Sequence, residues 1–270
     1  MPLRNAVDPR RCALNLSILF TEVDLLDRPS AAAEAGFRAV EFWWPFPTAA
    51  PTDGEVERFA RAVEDAGVSL VGLNFFAGDM PGGERGVLSQ PDRSREFRDS
   101  VQVAVGLGER LGCRSFNALY GNRVDGRAES EQDGAAVENL RHAAEAVRKV
   151  DGTVLVEPVS GTPAYPLKTA SDAVAVIDRL RAEGADNLRL LFDVYHLVVN
   201  GDDPDAVIDE HAHLIGHVQL ADAPGRNEPG TGDIDFERHL GRLDRAGYDG
   251  RIGLEYKPSS TTADSLARLD

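Results

Sequence analysis

The feature that most constrains this chain is a beat. A short apolar run gives way to a segment that reads as helix, then to a glycine or turn-rich stretch, and then to another apolar run. The runs fall at 12–20 (CALNLSILF), 38–43 (RAVEFW), 68–76 (VSLVGLNFF), 113–121 (CRSFNALYG), 153–157 (TVLVE), 188–193 (LRLLFD), 215–220 (IGHVQL) and 251–256 (RIGLEY). The first is a continuous apolar run rather than an alternation, as expected of a strand covered on both faces. Helices are predicted at 24–36, 53–66, 92–111, 132–150, 170–183, 203–213 and 235–246, with a last short one at 262–269. Gly36, Gly67, Gly112 and Gly247 stand where helices should stop, since glycine takes the left-handed cap position without a steric cost. Eight strands alternating with helices in 270 residues favour a closed (β/α)8 barrel, a TIM barrel, over an open doubly wound sheet. No linker or shift in composition divides the chain, so one domain over 1–270 is expected, and no repeated motif suggests a solenoid.

One connection breaks the rhythm. After the third run, AGDMPGGERG continues through LSQPDRS, rich in glycine but without the Gly-Lys-Ser/Thr ending of a phosphate-binding loop. A loop this long inside a compact domain is expected to serve as a lid or binding loop.

Charge narrows the function. A net charge of −16 argues against nucleic-acid or membrane-surface partners, which usually meet a basic patch. It leaves room for a small anionic substrate, because a metal and one or two local cations can reverse the sign within a pocket. The two cysteines, Cys12 and Cys113, each open an apolar run and read as buried thiols rather than a disulfide framework. No secretory leader and no membrane-length apolar run is visible, so a cytoplasmic setting is expected. A homo-oligomer is compatible with the sequence.

The chemistry is expected where barrel strands end, because the βα loops converge there. Strands five to eight each place one polar residue at that point: Glu157 in LVEP, Asp193 in LFDVYH, Gln219 in HVQLAD and Glu255 in LEYKP. Any one of them alone could cap a helix or pair with a lysine. Together, three carboxylates at one barrel mouth would repel one another unless a cation neutralised them. Oxygen ligands without paired His or Cys suit a hard divalent ion, Mg2+ or Mn2+, better than a structural zinc. The stretch Ile215–Gly232 concentrates the signal, running from an apolar strand through Gln219 into a turn-rich loop with Arg226, Asn227 and Glu228.

The chain resembles the hydroxypyruvate isomerase family, among the xylose-isomerase-like barrels. The resemblance is carried by NLSILF (15–20), GFRAVEF (36–42), AGD with GERG (77–86), EFRD (96–99), DVYH (193–196), GHVQLAD with EPGTG (216–232) and GLEYKP (253–258). It implies that Glu157, Asp193, Gln219 and Glu255 bind a divalent metal and that Glu157 and Glu255 form the proton-transfer pair. Gln219 matters to the assignment, since related sugar epimerases generally have His there. The stretch PVSGTPAYPLKT (158–169) departs from the family pattern.

The expected reaction converts hydroxypyruvate to tartronate semialdehyde through an enediolate. A metal acidifies the C–H bond, one carboxylate removes a proton and a second group returns one. The substrate carboxylate needs a cation. Arg226 is the first candidate because a guanidinium grips a carboxylate bidentately, Lys257 the second and Arg85 the third. His196 is expected in the pocket, and His217, two residues before Gln219 on the same strand face, on its floor. His211 and His213 are expected at a solvated helix end. Glu41 is read equally as a support for the site or a structural partner, and Trp43 and Trp44 as pocket wall or loop packing. The same metal and glutamate pair could serve isomerases of 2-oxotetronate and ketose 3-epimerases, and pocket length discriminates among them. A metal-dependent DNA repair nuclease on a similar barrel is disfavoured by the acidic balance and the lack of extra metal-binding His. A non-catalytic sugar-binding relative is disfavoured by the intact set of candidate ligands and both glutamates.

Overall fold

The computed structural model describes residues 8–269, and the opening residues that bear on a leader lie outside them. Eight parallel strands close into a barrel in sequence order: β1 (Cys12–Asn15), β2 (Ala39–Phe42), β3 (Ser69–Asn74), β4 (Ser115–Asn117), β5 (Thr153–Val156), β6 (Leu188–Asp193), β7 (Ile215–Leu220) and β8 (Ile252–Leu254). The ring closes where Cys12, Ala13 and Leu14 stand opposite Ile252, Gly253 and Leu254. Closure abolishes the two sheet edges that an open sheet would have to protect.

Helices α1 (Arg28–Glu34), α2 (Asp53–Asp65), α3 (Ser94–Leu111), α4 (Glu129–Val147), α5 (Ala170–Ala182), α6 (Val194–Asn200), α7 (Pro204–His211), α8 (Phe236–Arg245) and α9 (Thr262–Ala267) follow the strands. Their starts are written locally. Thr52 accepts from Glu55 N while the Glu55 side chain accepts from Thr52 N, and Thr169 and Asp172 repeat this reciprocal cap. Among the described residues, no helix is long and apolar enough to cross a membrane.

The apolar core lies between strands and helices, with Val40, Phe116, Val154, Leu190, Val218 and Leu254 fully buried in it. Inside the ring the filling is mixed: Leu155 and Leu191 share the barrel centre with Gly72, Ser115 and His217. Cys12 and Cys113 are buried free thiols, as expected.

Two runs outlast their strands the furthest. β1 stops at Asn15 and β4 at Asn117, yet Leu16, Leu19, Ala118, Leu119 and Tyr120 beyond them are also buried. These residues cover the barrel top as βα loops, so hydrophobicity continues after the ladder ends. Helix α6 has no counterpart among the predicted elements. It starts directly on β6, with Asp193 as its cap, so no loop marks the change.

Candidate active site

The strand ends converge as expected. Glu157 follows the last residue of β5, Asp193 ends β6, Gln219 is the penultimate residue of β7, and Glu255 follows the last residue of β8. None exceeds 5% exposure. Glu157 and Glu255 line one cavity of about 910 Å3, together with Trp43, Trp44, His196 and Arg226. Met80 and Arg85 from the glycine-rich loop line it too, which places that loop over the mouth.

Each group is held by neighbours. Glu157 Oε2 accepts from Asn117 Nδ2 at 2.6 Å. Glu255 Oε2 accepts from Asn15 Nδ2 at 2.7 Å and from Gln219 Nε2 at 2.8 Å, while Oε1 takes the guanidinium of Arg226. Asp193 Oδ1 accepts from His196 N at 3.2 Å, so Asp193 caps a helix and faces the site at once. Of the four strand-end residues, two have a buried oxygen without a protein partner, Asp193 Oδ2 and Gln219 Oε1. A buried acceptor left unmet is costly, and a cation is the ligand that two such oxygens among carboxylates suit.

Crowding shows in the acidities. Burial, then the charges of Glu255 and Asp193, hold Glu157 well above the usual carboxylate range. Burial lifts Glu255 to about 8 against the pull of Arg226, with Asp193 and Glu41 adding to the rise. Asp193 is raised to about 6, chiefly by burial, while Arg226 draws it down. His196 is pushed well below its usual value by burial and by the positive charge of Arg226. Its imidazole is therefore neutral near pH 7.

The tautomer of His196 follows from one contact. Ser160 N, which can only donate, points at His196 Nδ1 at 3.0 Å. Nδ1 is thus the acceptor, and the neutral ring carries its proton on Nε2. That nitrogen lies 3.9 Å from Glu157 Oε1 and 3.8 Å from Asp193 Oδ2. Glu157, Asp193 and His196 form a buried group close enough to hold a metal ion. With its proton on Nε2, however, His196 serves as a hydrogen-bond donor, and the donor set that fits a hard ion is the carboxylates with the Gln219 carbonyl.

Arg226 is half-buried against the site, with its guanidinium carbon 5.4 Å from the centre of the Tyr195 ring and its Nε without a partner. Its backbone is left-handed, with φ of 61°. It is held there by Arg226 N to Asp222 O at 2.9 Å and Lys257 N to Arg226 O at 2.7 Å. Lys257 itself is exposed at the cavity mouth. Arg85 spends its guanidinium on the carbonyls of Met80 and Glu84.

His217 corrects an expectation. It faces the barrel interior but, like Gln219, lines a smaller cavity beneath the large one, and its Nε2 lies 2.6 Å from Glu41 Oε2. Two residues along a strand is about 6.6 Å, enough to drop it below the reacting level. Glu228 also turns away, accepting from Ser259 N at 3.0 Å and from Arg268 Nη1 at 3.2 Å.

Asn15, Asn117 and Ser160 were missed as site residues. Asn15 and Asn117 end β1 and β4, so the strand-end rule applied to strands five to eight would have found them on the other half of the ring.

A family model described as xylose isomerase-like TIM barrel matches residues 29–270. A putative hydroxypyruvate isomerase of Streptomyces coelicolor is 52% identical, the match covering 92% of this chain and 91% of that protein. The hydroxypyruvate isomerase of Escherichia coli is 35% identical over 96% and 98% of the two chains. A 2-oxo-tetronate isomerase of Cupriavidus necator is 34% identical over 96% and 97%. Among solved structures, one from Brucella melitensis described as an AP endonuclease of family 2 superposes with a TM-score of 0.85 at 33% identity, covering 96% and 97% of the two chains. This chain therefore belongs to the xylose isomerase-like TIM barrel family and, within it, to the hydroxypyruvate isomerase family of isomerases.

Proposed function

We propose that the protein interconverts hydroxypyruvate and tartronate semialdehyde, using a divalent ion, Mg2+ or Mn2+, held by Glu157, Asp193, Gln219 and Glu255. One observation carries the reading: two buried glutamates on different strands line one cavity, and beside them Asp193 Oδ2 and Gln219 Oε1 have no protein partner. The ion would polarise the substrate's carbonyl and hydroxyl oxygens and so acidify the C–H bond between them.

The chain's own residues do the rest. Arg226 offers its unpartnered Nε to the substrate carboxylate. One of Glu157 and Glu255 takes a proton from C3, leaving an enediolate, and the other returns a proton to C2. The hydroxyl proton passes from the C3 oxygen to the C2 oxygen, so the product is an isomer with nothing gained or lost. His196 Nε2–H donates to the oxygen on which negative charge grows, and a neutral imidazole is the right donor because it does not trap the enediolate as a full ion pair. Carboxyl groups raised toward neutrality, as Glu255 is, suit proton exchange with carbon near pH 7. Trp43, Trp44 and Phe46 wall the cavity against water.

A cavity of about 910 Å3 is roomy for a three-carbon acid, and the likeness to 2-oxo-tetronate isomerases supports a second reading, a four-carbon 2-oxo sugar acid. Both readings use an anionic substrate and the same glutamates. Nuclease action on an apurinic site is disfavoured by the net charge of −16 and by His196 being the lone His beside the site carboxylates among the described residues. The test is a substrate panel of hydroxypyruvate, 2-oxotetronate and neutral ketoses with Mg2+ or Mn2+, before and after chelation. Preference for an acid with loss of turnover on chelation is expected; preference for a ketose would overturn the acid assignment.

A further inference from the structure

Beneath the candidate ion position lies a second polar layer that the reaction does not use. Its centre is Glu41 on β2, 2% exposed. Three donors converge on this carboxylate: Gln219 Nε2 at 2.6 Å and Asn15 Nδ2 at 3.2 Å on Oε1, and His217 Nε2 at 2.6 Å on Oε2. The strands leave room for it. A Cβ at Gly253 on β8 would come within 2.6 Å of Glu41 Oε1 and 2.9 Å of Gln219 Cγ, and one at Gly72 on β3 within 3.2 Å of Glu41 Cβ.

The consequence falls on the Gln219 amide. Its nitrogen donates to two carboxylates, Glu41 at 2.6 Å and Glu255 at 2.8 Å. Turned over, the amide would press its carbonyl oxygen against two carboxylate oxygens at those distances. The carboxylates thus dictate which end faces them, and Oε1 is left pointing away with no protein partner. Glu255 lines the large cavity and belongs to the proposed reacting pair, whereas Glu41 does not line it.

We propose that Glu41, braced by His217, is a positioning residue that fixes the Gln219 amide with Oε1 turned toward the divalent ion. The inference rests on Gln219 being a ligand of that ion. A neutral amide cannot orient itself by charge, so the orientation has to come from a fixed acceptor behind it.

The test is Mn2+ affinity by titration calorimetry on the whole chain. Glu41→Gln keeps the shape but offers an amide to donors, and Gln219 can then turn its oxygen inward. Mn2+ binding is expected to weaken about 10- to 100-fold, the usual range for removing an outer partner of a metal ligand. In a Gln219→Ala background the same Glu41→Gln change should alter Mn2+ affinity less than about twofold, because there is no amide left to orient. Equal weakening in both backgrounds, or none in the wild-type background, would overturn the positioning role. A wild-type chain that does not bind Mn2+ overturns the metal reading itself and this inference with it, and the blank titration distinguishes that failure. Should Glu41→Gln not fold, His217→Asn takes its place: it removes the brace on Oε2, and several-fold weaker Mn2+ binding supports the role while unchanged binding overturns it.

Discussion

Glu157 and Glu255 are buried carboxylates held mainly by neutral amides, from Asn117 on one side and from Asn15 and Gln219 on the other. Burial lifts both acids, Glu157 with the nearby charges of Glu255 and Asp193 added and Glu255 despite the pull of the Arg226 guanidinium. Glu157→Gln and Glu255→Gln keep the shape and the folded chain while removing the proposed proton transfer. Each should lower kcat by about 10²–10⁴, the share general acid–base catalysis contributes, with little change in circular dichroism. Near-normal turnover in either variant would remove that residue from the role. Arg226→Ala should act on KM first, raising it roughly 10- to 100-fold, as a charge-assisted hydrogen bond to a ground-state carboxylate implies. An unchanged KM would move the assignment to Lys257, the exposed cation at the mouth. The four strand-end residues were legible because each interrupts an apolar run. Asn15 and Asn117 interrupt runs as well, but an amide gives no charge to draw the eye. Nothing in the one-dimensional pattern says that Ser160 will meet His196, since that contact depends on how the loop after β5 folds back.

At the scale of elements, the loop between β7 and α8 is what places Arg226. Asp222, fully buried, accepts from four backbone N–H groups: Gly230 at 2.7 Å, Ala223 and Gly232 at 2.9 Å and Ile234 at 3.2 Å. One carboxylate thus replaces a ladder for a segment that has none. Gly232 has to be glycine here, because a Cβ would stand 2.2 Å from Ala223 O and 2.6 Å from Asp222 Oδ1. Glu228 ties the same loop to Ser259 and Arg268 near the C-terminus. Asp222→Ala strands several buried donors and should cost about 3 kcal/mol or more, lowering the melting temperature by roughly 6–12 °C. KM should rise more than kcat falls, since the loop carries Arg226, the arginine proposed to bind the substrate carboxylate. A melting temperature within a degree or two of wild type would show that the loop is held by something else. The sequence made this region legible as a turn-rich loop after a strand, but not its hub. Asp222 lies two residues past the apolar run and reads there as one more exposed loop acid. Helix α6 was lost for a related reason: its cap, Asp193, is also the last strand residue, so one side chain carries two signals.

For the whole molecule, the barrel gathers its acids where they strain against one another, and that couples the site to stability. Glu255 is raised from 4.5 to about 8, so above pH 4.5 the folded chain holds a proton that the unfolded chain has released. A raised pKa of this kind adds stability that is complete below the unfolded value and is lost as pH climbs through the folded one. Glu157, raised in the same direction, adds to the loss. His196 works the opposite way: depressed below 6.5, it lets the unfolded chain bind a proton first as pH falls, so its burden is felt only below about that pH. Between about pH 6.5 and 8 the two glutamates therefore act unopposed. In the presence of a chelator the melting temperature should fall across that window, and Glu255→Gln should flatten the fall. Saturating Mn2+ should reverse it, because a divalent ion competes with the same protons and binds more tightly as they leave, by up to about tenfold per pH unit for each proton displaced. Differential scanning fluorimetry at steps from pH 6 to 8, with chelator and with Mn2+, measures both slopes. A chelated protein whose melting temperature rises over this interval would mean that the crowded carboxylates are relieved by some group other than a metal, and the case for an ion at the barrel mouth would go with it.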